Sequence, residues 1–114
     1  MIRKKSDMRG EVRPSMRGGK GTSTILHMVE IDELLGKARL AGYVIVPVGG
    51  SVGNHVHDPD AEIVIVSSGK ARAVENGKAY EFNVGDVMFT GAGGSHSFEN
   101  IGDTPLELIG IVIE

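Results

Sequence analysis

The 114-residue chain contains no cysteine and no tryptophan. Without thiols there are no disulfides, no thiolate metal sites and no cysteine nucleophile, so any metal must be held by nitrogen and oxygen. Aromatic residues make up 4% of the chain, too few for a platform that stacks bases or sugars. Long apolar runs are also missing, and the opening MIRKKSDMRGEVRPSM lacks the hydrophobic stretch of a leader. Neither secretion nor membrane spanning is therefore expected, and the cytoplasm is the default location. A chain of this length has room for one core, burying about two-thirds of its unfolded surface around one small pocket.

The net charge of −3 hides an asymmetry. Residues 1–22 carry seven Lys/Arg against Asp7 and Glu11, a net +5, which leaves −8 on the remainder. No aromatic interleaves the basic residues, so nucleic-acid binding is not favoured. A basic arm packed on the acidic body of its own or a partner subunit fits better. Pro14, Gly18, Gly19 and Gly21 punctuate this segment without sustained periodicity, predicting an extended arm over 1–22 and a single domain over 23–114.

From Thr22 onward the pattern is strand, turn, strand. TSTILHMV is rich in β-branched residues. IDELL reads as one helical turn with Asp32 near its start, ended by Gly36. Arg39 to Val46 reads as a strand interrupted at Gly42, a candidate bulge. Further strands are predicted over 62–67, 70–75, 78–82, 87–90, 95–99 and 106–113, with Asn76-Gly77 suiting a type I′ hairpin. Short strands at this spacing predict an all-β sandwich or barrel. Ile63 and Ile65 would face one side and Val64 and Val66 the other, so an outer face needs cover, most simply from a second copy of the chain.

The segment that bears chemistry is GGSVGNHVHDPDAEIVIVSSG, residues 49–69. On a strand, side chains alternate between faces, so His55 and His57 point the same way and Val56 the other. Asp58-Pro59-Asp60 has turn chemistry, after which Glu62 can swing back over the two imidazoles. Two imidazoles and a carboxylate make a metal site in waiting. A third imidazole, His96, lies in GDVMFTGAGGSHSFEN and shares a strand with Phe98.

These two segments resemble the paired signatures of the cupin superfamily. Gly49-x5-His55-x-His57-x4-Glu62-x6-Gly69 matches the first motif at every fixed position. Gly85-x5-Gly91-x-Gly93-x2-His96-x3-Asn100 matches the second, with Gly91 where a proline is usual. The resemblance covers residues 40–112 and is similar above all to small single-domain bacterial proteins grouped loosely with oxalate decarboxylase. It implies a double-stranded β-helix, or jelly-roll, barrel with one divalent transition metal ion held by His55, His57, Glu62 and His96. Three neutral imidazoles and a carboxylate leave one or two positions open on a six-coordinate ion, and suit Mn, Fe, Co, Ni, Cu or Zn.

Other residues receive structural readings. His27 reads as a satisfied core or interface histidine, Asp58 and Asp60 as solvated turn residues, and Asn100 as a turn or backbone hydrogen bonder. Arg39 and Arg72 read as surface salt-bridging residues able to clamp a substrate carboxylate. Met88, Phe89 and Phe98 read as core filler. The resulting expectation is a homodimeric, metal-dependent enzyme acting on a small anionic oxygenated molecule, by decarboxylase, dioxygenase or isomerase chemistry. The alternative is a non-catalytic module that binds a small molecule for sensing or storage. No catalytic residue is assigned.

Overall fold

In the computed structural model, which describes residues 1–114, ten strands form two antiparallel sheets. They are β1 Arg9–Pro14, β2 Thr22–His27, β3 Ala38–Val46, β4 Ser51–Val56, β5 Ala61–Ser68, β6 Lys70–Glu75, β7 Lys78–Asn83, β8 Val87–Thr90, β9 Ser95–Asn100 and β10 Leu106–Ile113. The larger sheet has the order β1-β2-β3-β10-β5-β8 and the smaller β4-β9-β6-β7. This is the jelly-roll architecture, two sheets wound face to face from a chain that keeps crossing between them.

Alternation of side chains decides what lies between the sheets. Val64 and Val66 on β5, Leu106 and Leu108 on β10, Val44 and Val46 on β3, and Phe98 on β9 all turn inward and join one core. Phe82 and Phe98 stack there with ring centroids 5.9 Å apart. The same inward rows carry Glu62 and His96, so the polar cluster is an extension of the core lattice. Ala71 and Ala73 on β6 are fully buried. Their small side chains leave room between the sheets for the phenyl rings opposite.

Asn76 and Gly77 both adopt positive φ between β6 and β7, as a type I′ hairpin requires. The turn Ile31–Leu34 is a 3₁₀ turn whose capping box is formed by Glu30 and Glu33, not by Asp32. Gly42 is not a bulge: β3 runs in register with β10 through the pair Gly42↔Gly110. Glycine is needed at 42 because a Cβ there would lie 2.8 Å from the Leu26 carbonyl oxygen. Phe89 is 60% exposed, facing outward beside Ile63, whereas its neighbour Met88 faces the core.

Residues 1–22 do more than extend. Arg9–Pro14 pairs with β2 along its whole length, adding an edge strand to the larger sheet. Ion pairs Arg3–Glu33 at 3.0 Å, Arg9–Glu30 at 2.9 Å and Lys5–Glu107 bring the basic segment onto the acidic body of the same chain. Such exposed pairs add little individually, and together they set the path of the segment. The ladder of β1 on β2 supplies its backbone partners.

Candidate metal centre

Three elements deliver the four candidate ligands. His55 on β4 and His96 on β9 are direct cross-strand partners. His57 lies just past β4, where its backbone exchanges hydrogen bonds with Gly93 and Gly94 at 3.0 and 2.9 Å. Glu62 comes from the inward face of β5. Gly110 on β10 makes room for its carboxylate, since a Cβ at 110 would sit 2.9 Å from Glu62 Oε2. His57, Glu62 and His96 are buried and His55 is half-buried.

The donor atoms converge. His96 Nε2 lies 3.0 Å from His55 Nε2 and 3.1 Å from His57 Nε2. Glu62 Oε1 is 3.1 Å from His57 Nε2 and 3.0 Å from His96 Nε2. All four donors fall within 4.8 Å of one another.

The far side of each ring decides its tautomer. His55 Nδ1 donates to the Gly53 carbonyl at 2.8 Å, and a carbonyl can only accept. His57 Nδ1 donates to Asp60 Oδ1 at 3.0 Å. Thr90 donates its single hydroxyl proton to Glu75 at 2.6 Å, so its oxygen accepts from His96 Nδ1 at 3.0 Å. Each ring thus spends its proton on Nδ1 and turns an Nε2 lone pair toward the other two. Three lone pairs and a carboxylate oxygen, packed at hydrogen-bond distance with no proton among them, repel unless a cation lies between them. With metal–nitrogen bonds of about 2.1 Å, neighbouring corners of an octahedron lie ~3.0 Å apart and those of a tetrahedron ~3.4 Å apart. The pairs His55–His96, His57–His96, His57–Glu62 and His96–Glu62 have the shorter of these spacings. The four residues fit a divalent transition metal ion.

The electrostatics agree. Burial pulls the His55 pKa down to about 4, outweighing the Gly53 hydrogen bond, and the charges of His96 and Arg17 act in the same direction. His55 is therefore a neutral imidazole at physiological pH, the form that ligates. For Asp60, burial acts to raise the pKa, but hydrogen bonds from Arg39 and His57 win and hold it below the ordinary carboxylate value.

A cavity of about 230 Å³ opens onto this centre. His55, His57 and Glu62 line it together with Val44, Val64, Phe98 and Leu108. Its polar wall comes from Arg13, Arg17 and Arg39 and from Glu11 and His27.

A family model described as the cupin domain matches residues 42–113. The chain belongs to the cupin family. An oxalate-binding protein of Thermotoga maritima is 38% identical to this cupin over 113 residues, 99% of this chain and 93% of the relative. An uncharacterised protein of Methanocaldococcus jannaschii is 27% identical over 90 residues, 79% of this chain and 72% of the other. Among solved structures, that of a predicted oxalate decarboxylase from Thermotoga maritima matches with a TM-score of 0.95 and 38% identity, covering 99% and 98% of the two chains. A cupin-like protein of the same organism matches with a TM-score of 0.72 and 26% identity, over 83% and 71%.

Several residues of this cupin take roles that their sequence context did not announce. Asp60 is no solvated turn residue: it bridges His57 and Arg39, whose Nε lies 2.9 Å from Oδ2. Its place three residues after a candidate ligand, across Pro59, was the available signal. Thr90 and Glu75 orient His96 from two other strands, which no local pattern reveals. Arg72 projects from the outer face of β6 opposite Glu81 and Glu99, away from the cavity. His27 does find a polar partner, Glu11 Oε1 at 2.9 Å, while also lining the cavity. That hydrogen bond, with Arg13 nearby, holds the Glu11 pKa below its ordinary value.

Proposed function

We propose that this cupin is a metal-dependent binder of a small carboxylate of the oxalate class. In this reading His55, His57, Glu62 and His96 hold one divalent ion, and the cavity beside them takes the carboxylate. The observation that carries it is the convergence of three Nε2 lone pairs and a carboxylate oxygen at 3.0–3.1 Å. What such an ion supplies when bound is a positive, Lewis-acidic contact for a carboxylate oxygen. The chain itself fixes the tautomer of each imidazole through its Nδ1 acceptor and so aims the Nε2 atoms at one point, lines the cavity with Val44, Val64 and Leu108, and offers cationic groups at its wall. The 38% identity to an oxalate-binding protein over nearly the whole chain supports the choice of ligand class.

The test is isothermal titration of oxalate into manganese-loaded and chelator-treated protein. Saturable binding is expected only in the loaded form, and no binding in either form would sink the reading. Chemistry on the bound molecule is a second reading, favoured by the Glu11–His27 pair in the same cavity. Oxalate incubated with loaded protein distinguishes the two: formate and carbon dioxide appear if it is an oxalate decarboxylase, and intact oxalate is recovered if it only binds.

We also propose that the outer face of the larger sheet is covered by a second copy. Two cross-strand rows run over it, Phe89–Ile63–Ile111–Ala41 and Val87–Ile65–Ile109–Tyr43–Leu26. Eight apolar side chains and Tyr43, with the Lys5 ammonium 4.4 Å from the Tyr43 ring, form a surface that isolated chains seldom leave wet. A symmetric pair can lay these rows against each other. Light scattering is expected to give twice the chain mass of 12.1 kDa, and Ile65→Lys to return it to the single-chain value. A wild-type mass of one chain at micromolar concentration would remove this part of the proposal.

A further inference from the structure

Of the three arginines at the cavity, two are already committed. Arg39 is paired with Asp60 and lies 3.8 Å from Glu114, and Arg13 is paired with Glu11 at 3.3 Å. Arg17 makes no ion pair and no side-chain hydrogen bond within the chain, although it lines the same cavity as His55. A guanidinium needs carboxylate-like acceptors to use its planar fork of donors.

The backbone around Arg17 is held with unusual firmness for a surface turn. Ser15 and Arg17 have φ of 47° and 54°, left-handed values that side-chain-bearing residues rarely adopt. The turn closes through Gly18 N to Ser15 O at 2.8 Å and Gly19 N to Met16 O at 2.9 Å. It then crosses β4 backbone to backbone. A Cβ at Gly53 would lie 2.1 Å from the Arg17 carbonyl oxygen, and one at Gly19 would lie 2.1 Å from that of Ser51. Ser51 N donates to Lys20 O at 2.9 Å, Lys20 N donates to Ser51 Oγ at 2.9 Å, and Met16 packs on the core. A strained turn persists only where its surroundings over-determine it, and such turns cluster at functional sites. This one fixes the backbone of Arg17, an exposed residue whose side chain has no partner in the chain, against Gly53, two residues along β4 from His55.

We propose that Arg17 is the specificity-determining residue of the cavity, taking the second carboxylate of a small dicarboxylate whose first is bound at the His55–His57–Glu62–His96 centre. The inference rests on the reading of that centre as a carboxylate site. It assigns selectivity to the N-terminal segment, which the jelly roll itself does not supply. A bidentate contact rewards a planar carboxylate, and a single free positive charge favours a dianion over a monoanion. The cavity admits a molecule of few heavy atoms.

The experiment titrates oxalate and glycolate, which lacks the second carboxylate, into the manganese-loaded full chain and its variants. Arg17→Gln is expected to weaken oxalate roughly ten- to hundred-fold while changing glycolate by less than about threefold. Arg17→Lys, which keeps the charge and loses the fork, falls between. Arg13→Gln has a smaller effect than Arg17→Gln, because Arg13 is already paired with Glu11. Manganese affinity, read from the spin-resonance signal of the free ion, stays as in the wild type. Unchanged oxalate affinity in Arg17→Gln, an equal loss for both ligands, or a parallel loss of manganese would each overturn the assignment while leaving the carboxylate reading in place. If wild-type protein binds neither acid, the reading itself falls and the inference with it.

Discussion

Manganese(II) or zinc added to chelator-treated protein raises its thermal midpoint by roughly 10 °C, and His57→Ala abolishes the rise. An ion that binds only the folded chain stabilises it by about 2.7 kcal/mol at a hundred times its dissociation constant. For a domain near this size, each kcal/mol moves the midpoint by several degrees. The unfolded chain holds no comparable site, because its ligands come from three separate strand regions. The folded metal-free chain keeps three lone pairs crowded at 3.0–3.1 Å, a repulsion that the ion converts into ligation. Asp60→Asn removes the negative partner of His57 Nδ1 and is expected to weaken metal binding about 10–100-fold without erasing it. Scanning calorimetry across an ion titration reads all three proteins. A flat wild-type midpoint up to millimolar ion would mean that the cluster holds no cation. A rise that survives in His57→Ala would place the ion elsewhere, on the acidic surface.

Much of this architecture was legible because strand parity is a local property. Val64, Val66 and Glu62 share a face by counting in twos, and so do His96, Phe98 and Asn100. The ends of β6, β8 and β10 follow from turn residues that flank them. Parity failed where no anchor fixed its phase: Phe89 reads as filler by size, yet Thr90 and Met88 take the inward positions and turn it out. The supports of the centre were hidden for a different reason. Thr90, Glu75 and the Gly53 carbonyl reach the imidazoles from separate strands, and sheet order sets those distances. β1 was invisible because RGEVRP has one β-branched residue and a proline. It is a strand by pairing, as an edge partner of β2, with Pro14 at its last position where a missing N–H costs least. Arg17 is the sharpest case. Its sequence neighbourhood reads as an extended arm, and only the glycine-on-glycine crossing with β4 makes it part of the cavity wall.

Asn100→Asp, a change of one atom, is expected to cost more than 3 kcal/mol and to lower the midpoint further than Asn100→Ala does. Asn100 is 4% exposed, and the two hydrogens on its Nδ2 serve three carbonyls, one hydrogen being shared: Val46 at 3.1 Å, Pro47 at 3.2 Å and Thr104 at 2.9 Å. Its Oδ1 accepts from Gly102 N at 2.9 Å. One side chain thereby ties the end of β3 to the turn before β10, and both to the end of β9. A carboxylate there turns an acceptor toward three acceptors in a buried place, so the donors are lost and a charge is left with only the Gly102 N–H to answer it. Alanine also orphans the carbonyls, but it carries no charge and leaves a space that water can enter. Against a typical total of about 5–15 kcal/mol, the aspartate substitution removes a large share. Denaturant melts of the three proteins measure the order directly, and equal midpoints for wild type and Asn100→Asp would show that the side chain is no pin. The ion provides a second check. Asn100 lies four residues along β9 from His96, ~13 Å at strand spacing. The rise in midpoint on loading Asn100→Asp with manganese should therefore match that of the wild type, which separates the residue of this motif that holds the strands from the proposed metal ligand.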